Sequence, residues 1–159
     1  MAELKNPEKA KETFETICAT LDHHDWKYQK DEQKLLIGCS VRGEDLPMEL
    51  TIRVDADRSV VMMFSRMPFA VQEDKRVDLA IAITAVNNAL ADGCFDYDIG
   101  TGDIYFRITN AFVDSTLSEA VFGYMIYCAC RTIDDYNDKF LMLGKGALTV
   151  EQFLASLAG

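Results

Sequence analysis

The sequence has little positive charge, no long apolar run and no catalytic motif. Its 159 residues include 16 Lys and Arg against 26 Asp and Glu, a net charge of -10, and no basic cluster offsets this excess. Such a surface repels nucleic acid and anionic lipid, so we expect neither as a partner. The uncharged segments fall short of the roughly 20 residues that span a bilayer, and the N-terminus lacks a signal-peptide pattern. We therefore expect a cytoplasmic protein.

The cysteines and histidines, which most often bind metals or perform catalysis, are few and poorly placed. His23 and His24 are adjacent, and neighbouring helical residues point about 100° apart, so the two cannot easily bind one ion. Cys128 and Cys130 point roughly 200° apart on a helix, which predicts no disulfide between them. The other cysteines also lie in apolar segments: Cys18, Cys39 and Cys94. We therefore predict reduced cysteines packed in the core, and no metal site.

Two glycine-containing turns resemble ligand-binding loops but lack the residues that those loops need. Asp96, Asp98 and Asp103 surround one turn, yet the glycine and the later glutamate of a calcium loop are missing. The Gly-Lys-Gly sequence at 144–146 lacks the longer glycine-rich frame of a phosphate loop. No Ser-His-Asp or Cys-His set can be assembled either. The sequence therefore predicts no catalytic residues and no cofactor, and a protein that is not an enzyme.

Hydrophobic periodicity predicts a helix and then a sheet in the first half of the chain. Asn6 before Pro7 is typical of an N-cap with proline at the first helical position, and the helix is predicted to end at residues 21–24. Alternating apolar residues then predict strands at 35–41, 48–54 and 60–64. Val61 and Met63 are apolar on the opposite face of the last strand, which predicts that it is covered on both faces, at least in part.

The second half predicts a helix, a hairpin and two further helices. The first helix, at 72–91, is expected to end at Gly93 in the C-cap role. Strands at 94–99 and 104–108 flank a Gly-rich turn and form the hairpin. Thr116 with Glu119, and Thr149 with Gln152, are capping-box pairs that predict the starts of a long and a short helix. The element order is α-β-β-β-(β)-α-β-β-α-α, which predicts one α+β domain over residues 1–159, an antiparallel sheet with helices on one face.

The helix-to-hairpin segment carries a family resemblance, which covers most of the chain from about residue 14 to 146. The matching residues are Asn87-Asn88, Gly93, Phe95-Asp96-Tyr97-Asp98, Gly102-Asp103-Ile104-Tyr105-Phe106-Arg107, Thr132-Ile133-Asp134 and Leu143-Gly144. The chain closely resembles the bacterial YbjN-like proteins, described as sensory transduction regulators and similar in fold to class I type III secretion chaperones. The resemblance implies a small, dimeric, chaperone-like binding protein, and it supplies no catalytic residues.

Two of the predicted helices carry almost no charge. Residues 79–91 have none, and residues 117–130 contain only Glu119. A helix that rests on one face of a sheet should turn a charged side to water, so these two helices need a second cover. The cover could be other helices of the chain, a second copy, or an apolar peptide in a groove. The predicted partner or dimer surface consists of Val61, Met63, Leu79, Ile83, Val86, Leu117, Val121 and Tyr124.

The sequence thus predicts a non-enzymatic regulator or chaperone-like adaptor that binds a protein partner and forms a homodimer. The alternative is a small ligand sensor or enzyme with a pocket between sheet and helices, and a dedicated type III secretion chaperone is a narrower version of the adaptor. Asn87 and Asn88 are polar amides inside an apolar helix, and we expect them to bond to backbone or to a neighbouring strand.

Overall fold

The computed structural model describes residues 5–157, and this part of the chain folds into four α-helices and six β-strands. The order of elements confirms the prediction, including the fourth strand before the second helix. A 3-10 turn, Glu73–Lys75, precedes that helix. The elements are α1 Pro7–His23, β1 Tyr28–Asp31, β2 Leu36–Arg42, β3 Pro47–Asp55, β4 Val60–Ala70, α2 Arg76–Ala89, β5 Cys94–Asp98, β6 Asp103–Ala111, α3 Glu119–Gly144 and α4 Val150–Leu157.

The six strands form one antiparallel sheet in the order β1-β2-β3-β4-β6-β5. The register aligns the apolar residues across the sheet, so that Ile52 lies between Ile37 and Met63. Because successive side chains of a strand point to opposite faces, this alignment gives the sheet one apolar face. The helices pack against that face and enclose the core, so the predicted α+β architecture is confirmed.

The central strand β4 is covered completely on one face and partly on the other. Val61 and Met63 are fully buried and face the helices. Met62 and Phe64 point to the outer face, where they are half-buried. Phe64 lies between Thr51 and Arg107 of the neighbouring strands. The predicted partial cover on both faces is therefore present, and neighbouring side chains provide the outer part of it.

Three helices begin with side-chain caps, and one of these caps differs from the prediction. Thr149 and Gln152 form the predicted capping box, with bonds of 3.0 and 3.2 Å. The long helix α3 does not begin with Thr116, because Ser118 is its N-cap and accepts a hydrogen bond from the Val121 amide at 3.2 Å. Leu117 is buried and therefore holds the preceding chain in the core. The predicted N-cap Asn6 is confirmed, since its side chain accepts from the Lys9 amide at 3.1 Å.

Gly93 does not end α2 in the C-cap role that the sequence predicted. The helix ends at Ala89, and Leu90 is its C-cap, in an extended conformation. Gly93 has a φ of +73°, and a Cβ atom at this position would lie 2.4 Å from the ring of Phe106. The glycine is needed because the chain must pass directly over that buried ring in a left-handed conformation.

Candidate interaction surface

Six of the eight residues predicted as a partner surface are core residues. None of them is more than 4% exposed, so they cannot contact a partner without rearrangement. The largest apolar side chains of α2 face the chain's own sheet, so the predicted stripe on this helix is part of the core. Val121 is half-buried, and Tyr124 is 49% exposed. The six core residues are Val61, Met63, Leu79, Ile83, Val86 and Leu117.

The opposite face of α2 is exposed and carries no charge. Its largest side chains, Val77 and Ile81, are 64% and 46% exposed. The two charged residues of the helix, Arg76 and Asp78, lie in its first turn. The residues of this face recur at spacings of three and four, as one side of a helix requires. We call them the α2 face: Val77, Ala80, Ile81, Thr84, Ala85 and Asn88, which line a shallow groove of about 590 Å³.

Arg76 fixes the N-terminal end of the α2 face against the β5–β6 turn. Its guanidinium donates to the carbonyl oxygens of Gly100 at 2.5 Å, Thr101 at 3.2 Å and Ile99 at 3.4 Å. The same side chain donates from Nε to the Val71 carbonyl at 3.3 Å. These bonds hold the backbone of the β5–β6 turn, where the Ile99 side chain is 53% exposed, against the Arg76 side chain. The β5–β6 turn is therefore fixed relative to the first turn of α2.

Asn87 closes the sheet edge at β5. Its amide nitrogen donates to the Phe95 carbonyl at 2.9 Å, and its amide oxygen accepts from the Phe95 N–H at 2.8 Å. A neighbouring strand would satisfy the same two backbone groups, so the side chain takes the place of a strand. The predicted structural role is thus confirmed for Asn87. Asn88 is exposed on the α2 face, and its side chain bonds to no other residue within 5–157.

The exposed part of α3 is tied to the loop after α2. The Tyr124 hydroxyl donates a short hydrogen bond to the Asp92 carboxylate, and this bond raises the pKa of Tyr124. Tyr124 is therefore held at the surface, and its ring is not free to move independently of the loop.

The two histidines converge on one carboxylate, in contrast to the divergence expected from their spacing. His23 Nδ1 and His24 Nε2 lie 3.6 and 3.8 Å from the same oxygen of Glu119, and their rings stack at 5.2 Å. This is possible because α1 ends at His23 and the backbone of His24 has left the helix. The residues that the structure describes contain no group of three side chains able to hold a metal ion.

The pKa shifts favour unreactive forms of the thiols and carboxyl groups. Burial raises the pKa values of Cys39 and Cys130 to about 11, whereas a nucleophilic cysteine needs a lowered pKa. A hydrogen bond from Arg107 lowers the pKa of Asp96, whereas a general acid needs a raised one. Within residues 5–157, every shifted carboxyl pKa is lowered and every shifted thiol pKa is raised. These groups are suited to packing and ion pairing.

Within residues 5–157, none of the helices has the length and apolar character needed to cross a membrane.

Comparisons with known proteins identify the family. No curated protein matches the chain. A crystal structure described as "YbjN, a putative transcription regulator from E. coli" is similar in fold, with a TM-score of 0.57 and 11% identity over 77% of this chain and 87% of that one. The YbjN family, described as "Putative bacterial sensory transduction regulator", matches residues 13–142. The chain therefore belongs to the YbjN family.

Proposed function

We propose that the protein is a non-enzymatic regulator that acts by binding other proteins and is itself a homodimer. The observation that carries the proposal is the uncharged α2 face. Single apolar side chains on a surface are ordinary, but here a whole helix side of a protein with a net charge of -10 faces water without a charged residue. Such a face is favoured where a second protein surface covers it, because an uncharged face loses little hydration when it is buried.

The chemistry of the remaining side chains supports a binding role over a catalytic one. Burial raises the pKa values of Cys39 and Cys130 and so favours their neutral thiols, and the hydrogen bond from Arg107 lowers the pKa of Asp96 and so favours its carboxylate. A family of regulators agrees with this picture. Dimerisation on α2 would leave the outer face of the sheet, centred on Met62 and Phe64, open to another protein. A dedicated type III secretion chaperone is the narrower form of this proposal, and a gene for a secreted effector beside its own would favour it.

The molar mass in solution tests the homodimer. Light scattering of the wild-type protein at micromolar concentration is expected to give twice the chain mass of 17.9 kDa. Ile81→Glu places an unpaired charge on the α2 face and should raise the dimer dissociation constant by about 100-fold or more. Ala19→Glu adds the same charge on the exposed side of α1 and should leave the mass unchanged. A wild-type mass near that of one chain would contradict the homodimer.

A ligand screen tests the regulator against the sensor or enzyme. Thermal unfolding is measured with metals, nucleotides and small metabolites added one at a time. A ligand that binds only the native state raises the melting temperature in a saturable way. We expect no saturable shift of several degrees, and such a shift would favour the sensor or enzyme.

A further inference from the structure

We infer that the final helix, α4, is a displaceable lid, and that the apolar socket beneath it binds a helix of a partner protein through an aromatic anchor. This role of α4 rests on the proposed function, the binding of other proteins, and names the kind of segment that is bound. The socket consists of Phe95 of β5 with Tyr136 and Phe140 of α3, and α4 fills it with the ring of Phe153.

The socket is a cluster of aromatic rings that α4 completes. Phe140 packs edge-on against Phe95 at a centroid distance of 5.0 Å and stacks on Tyr136 at 6.0 Å. Phe153 stacks on the ring of Phe140, with the centroids 5.7 Å apart and the planes inclined by 17°. The contacts among Phe95, Tyr136 and Phe140 do not involve α4, so displacement of the helix would expose an aromatic surface that is already assembled.

Apolar contacts alone hold α4 against the rest of the chain. Its inner face consists of Val150, Phe153 and Leu157, of which Phe153 is fully buried and the other two are half-buried. In the part of the chain that the structure describes, the hydrogen bonds of residues 149–157 all join atoms within that segment, and no ion pair links it to another element. The helix can therefore leave the socket without breaking a hydrogen bond to the rest of the protein.

The length of α4 determines what happens when it leaves. The helix has eight residues, and a helix of this length is not stable alone in water. The connection from the end of α3, residues 145–149, is exposed except at the half-buried Leu148. We therefore expect α4 to lose its helical structure when it leaves the socket, while the preceding turn stays attached to α3 through the bonds of Gly146 and Ala147 to its last carbonyl groups.

The inner face of α4 defines the chemistry of the partner segment. Its apolar residues recur at spacings of three and four, which places them on one side of a helix. A partner helix with an aromatic residue at the central position and an aliphatic residue one turn away on each side would make the same contacts. Such a helix would compete with α4 for the socket.

The extent of the family match agrees with a separate role for α4. The matched residues, 13–142, include the three aromatic residues of the socket and end before α4 begins. The helix that fills the socket is thus outside the part of the chain that the family shares, as we expect of an element that controls access to a shared surface.

Native-state hydrogen exchange of the wild-type protein tests the lid without any substitution. The amides of α4 are expected to exchange through a local opening, whose equilibrium constant exceeds that of global unfolding by at least about 100-fold. The amides of the central strand β4 report global unfolding in the same experiment. Exchange of the α4 amides only together with those of β4 would overturn the lid.

A fluorescent peptide with the sequence of residues 147–157 tests the socket. Phe153→Ala in the full chain removes the anchor of α4, whereas Leu154→Ala, the matched control, changes the next residue, which is 36% exposed. We expect the peptide to bind Phe153→Ala at least about tenfold more tightly than wild type or Leu154→Ala, because the apparent affinity scales with the fraction of molecules whose socket is open. A peptide that itself carries Phe153→Ala should bind none of the three proteins.

The outcomes distinguish failure of the lid from failure of the proposed function. If Phe153→Ala keeps the circular dichroism of the wild type and binds the peptide no more tightly, the socket does not accept a helix and the inference is overturned. A wild-type mass of two chains would then still support the homodimer. A monomeric wild-type protein whose Phe153→Ala variant binds the peptide would contradict the homodimer and support the socket, because the socket belongs to a single chain.

Discussion

Replacing Asn87 by alanine should destabilise the chain strongly, because one side chain satisfies both backbone groups of a buried residue. The amide exchanges bonds of 2.9 and 2.8 Å with the C=O and N–H of Phe95, whose side chain is buried. Two hydrogen bonds contribute about 1 kcal/mol each, and leaving both backbone groups without a partner adds a desolvation penalty. We expect Asn87→Ala to lower the free energy of unfolding by about 2–4 kcal/mol.

The adjacent residue provides the matched control. Asn88→Ala removes the same amide one position later, where the side chain is exposed and bonds to no other described residue. It should change the free energy of unfolding by less than about 0.5 kcal/mol. Both variants are measured by urea unfolding in an Ile81→Glu background, so that loss of the proposed dimer does not enter the comparison.

Hydrogen exchange adds a local readout to the same pair of variants. The Phe95 amide should exchange much faster in Asn87→Ala, and it should be unchanged in Asn88→Ala. Equal destabilisation by the two substitutions, or an unchanged exchange rate at Phe95, would refute the reasoning that Asn87 replaces a strand at this edge.

Three further predictions follow from the turns and ion pairs. Gly102→Ala should lower the free energy of unfolding in urea by more than about 3 kcal/mol, because the φ of Gly102 is +82° and a Cβ atom there would lie 2.2 Å from a backbone oxygen. Gly38→Ala is the control: a Cβ atom at Gly38 would have no neighbour within 4 Å, so this substitution should leave the free energy of unfolding unchanged or raise it. Arg76→Ala should lower the free energy of unfolding by about 1–2 kcal/mol, because the Arg76 guanidinium donates hydrogen bonds to carbonyl oxygens of the β5–β6 turn. Amide hydrogen exchange in that turn should become faster. The Arg107 bond lowers the pKa of Asp96, so its stabilisation is present above pH ~4 and is lost as the pH falls through the folded-state pKa. Asp96→Asn should therefore be less stable than wild type at pH 7, and the difference in the free energy of unfolding should shrink as the pH falls below about 4.

Sequence periodicity predicted the order of the elements because β2 and β3 alternate strictly and because local caps mark the starts of α1 and α4. The Thr149–Gln152 box and the Asn6 cap are local signals, and both are present. The errors arise where a distant contact decides the local structure. Leu117 is drawn into the core and delays the start of α3, and the ring of Phe106 explains Gly93. Neither contact can be read from neighbouring residues.

The absence of charge on α2 indicated an association surface, but it did not indicate which side of the helix was free. Both sides are uncharged beyond the first turn, and the prediction chose the side with the larger residues, including Leu79 and Ile83. Those side chains bury the most apolar area and therefore take the core position. The side that remains, with Val77 and Ile81, is the unusual one, since water normally faces charged residues there.

Both edges of the sheet are protected against pairing with another chain. Unpaired edge strands are the usual route by which β-sheet proteins associate, and native chains protect them. Here Asn87 occupies the β5 edge, while β1 at the other edge is only four residues long and carries Lys30, which pairs with Glu32 at 2.8 Å. With both edges protected, the homodimer proposed on the α2 face would form without opening the sheet. Asn87→Ala should therefore weaken this protection as well as the fold, and we expect irreversible aggregation on heating that Asn88→Ala does not show.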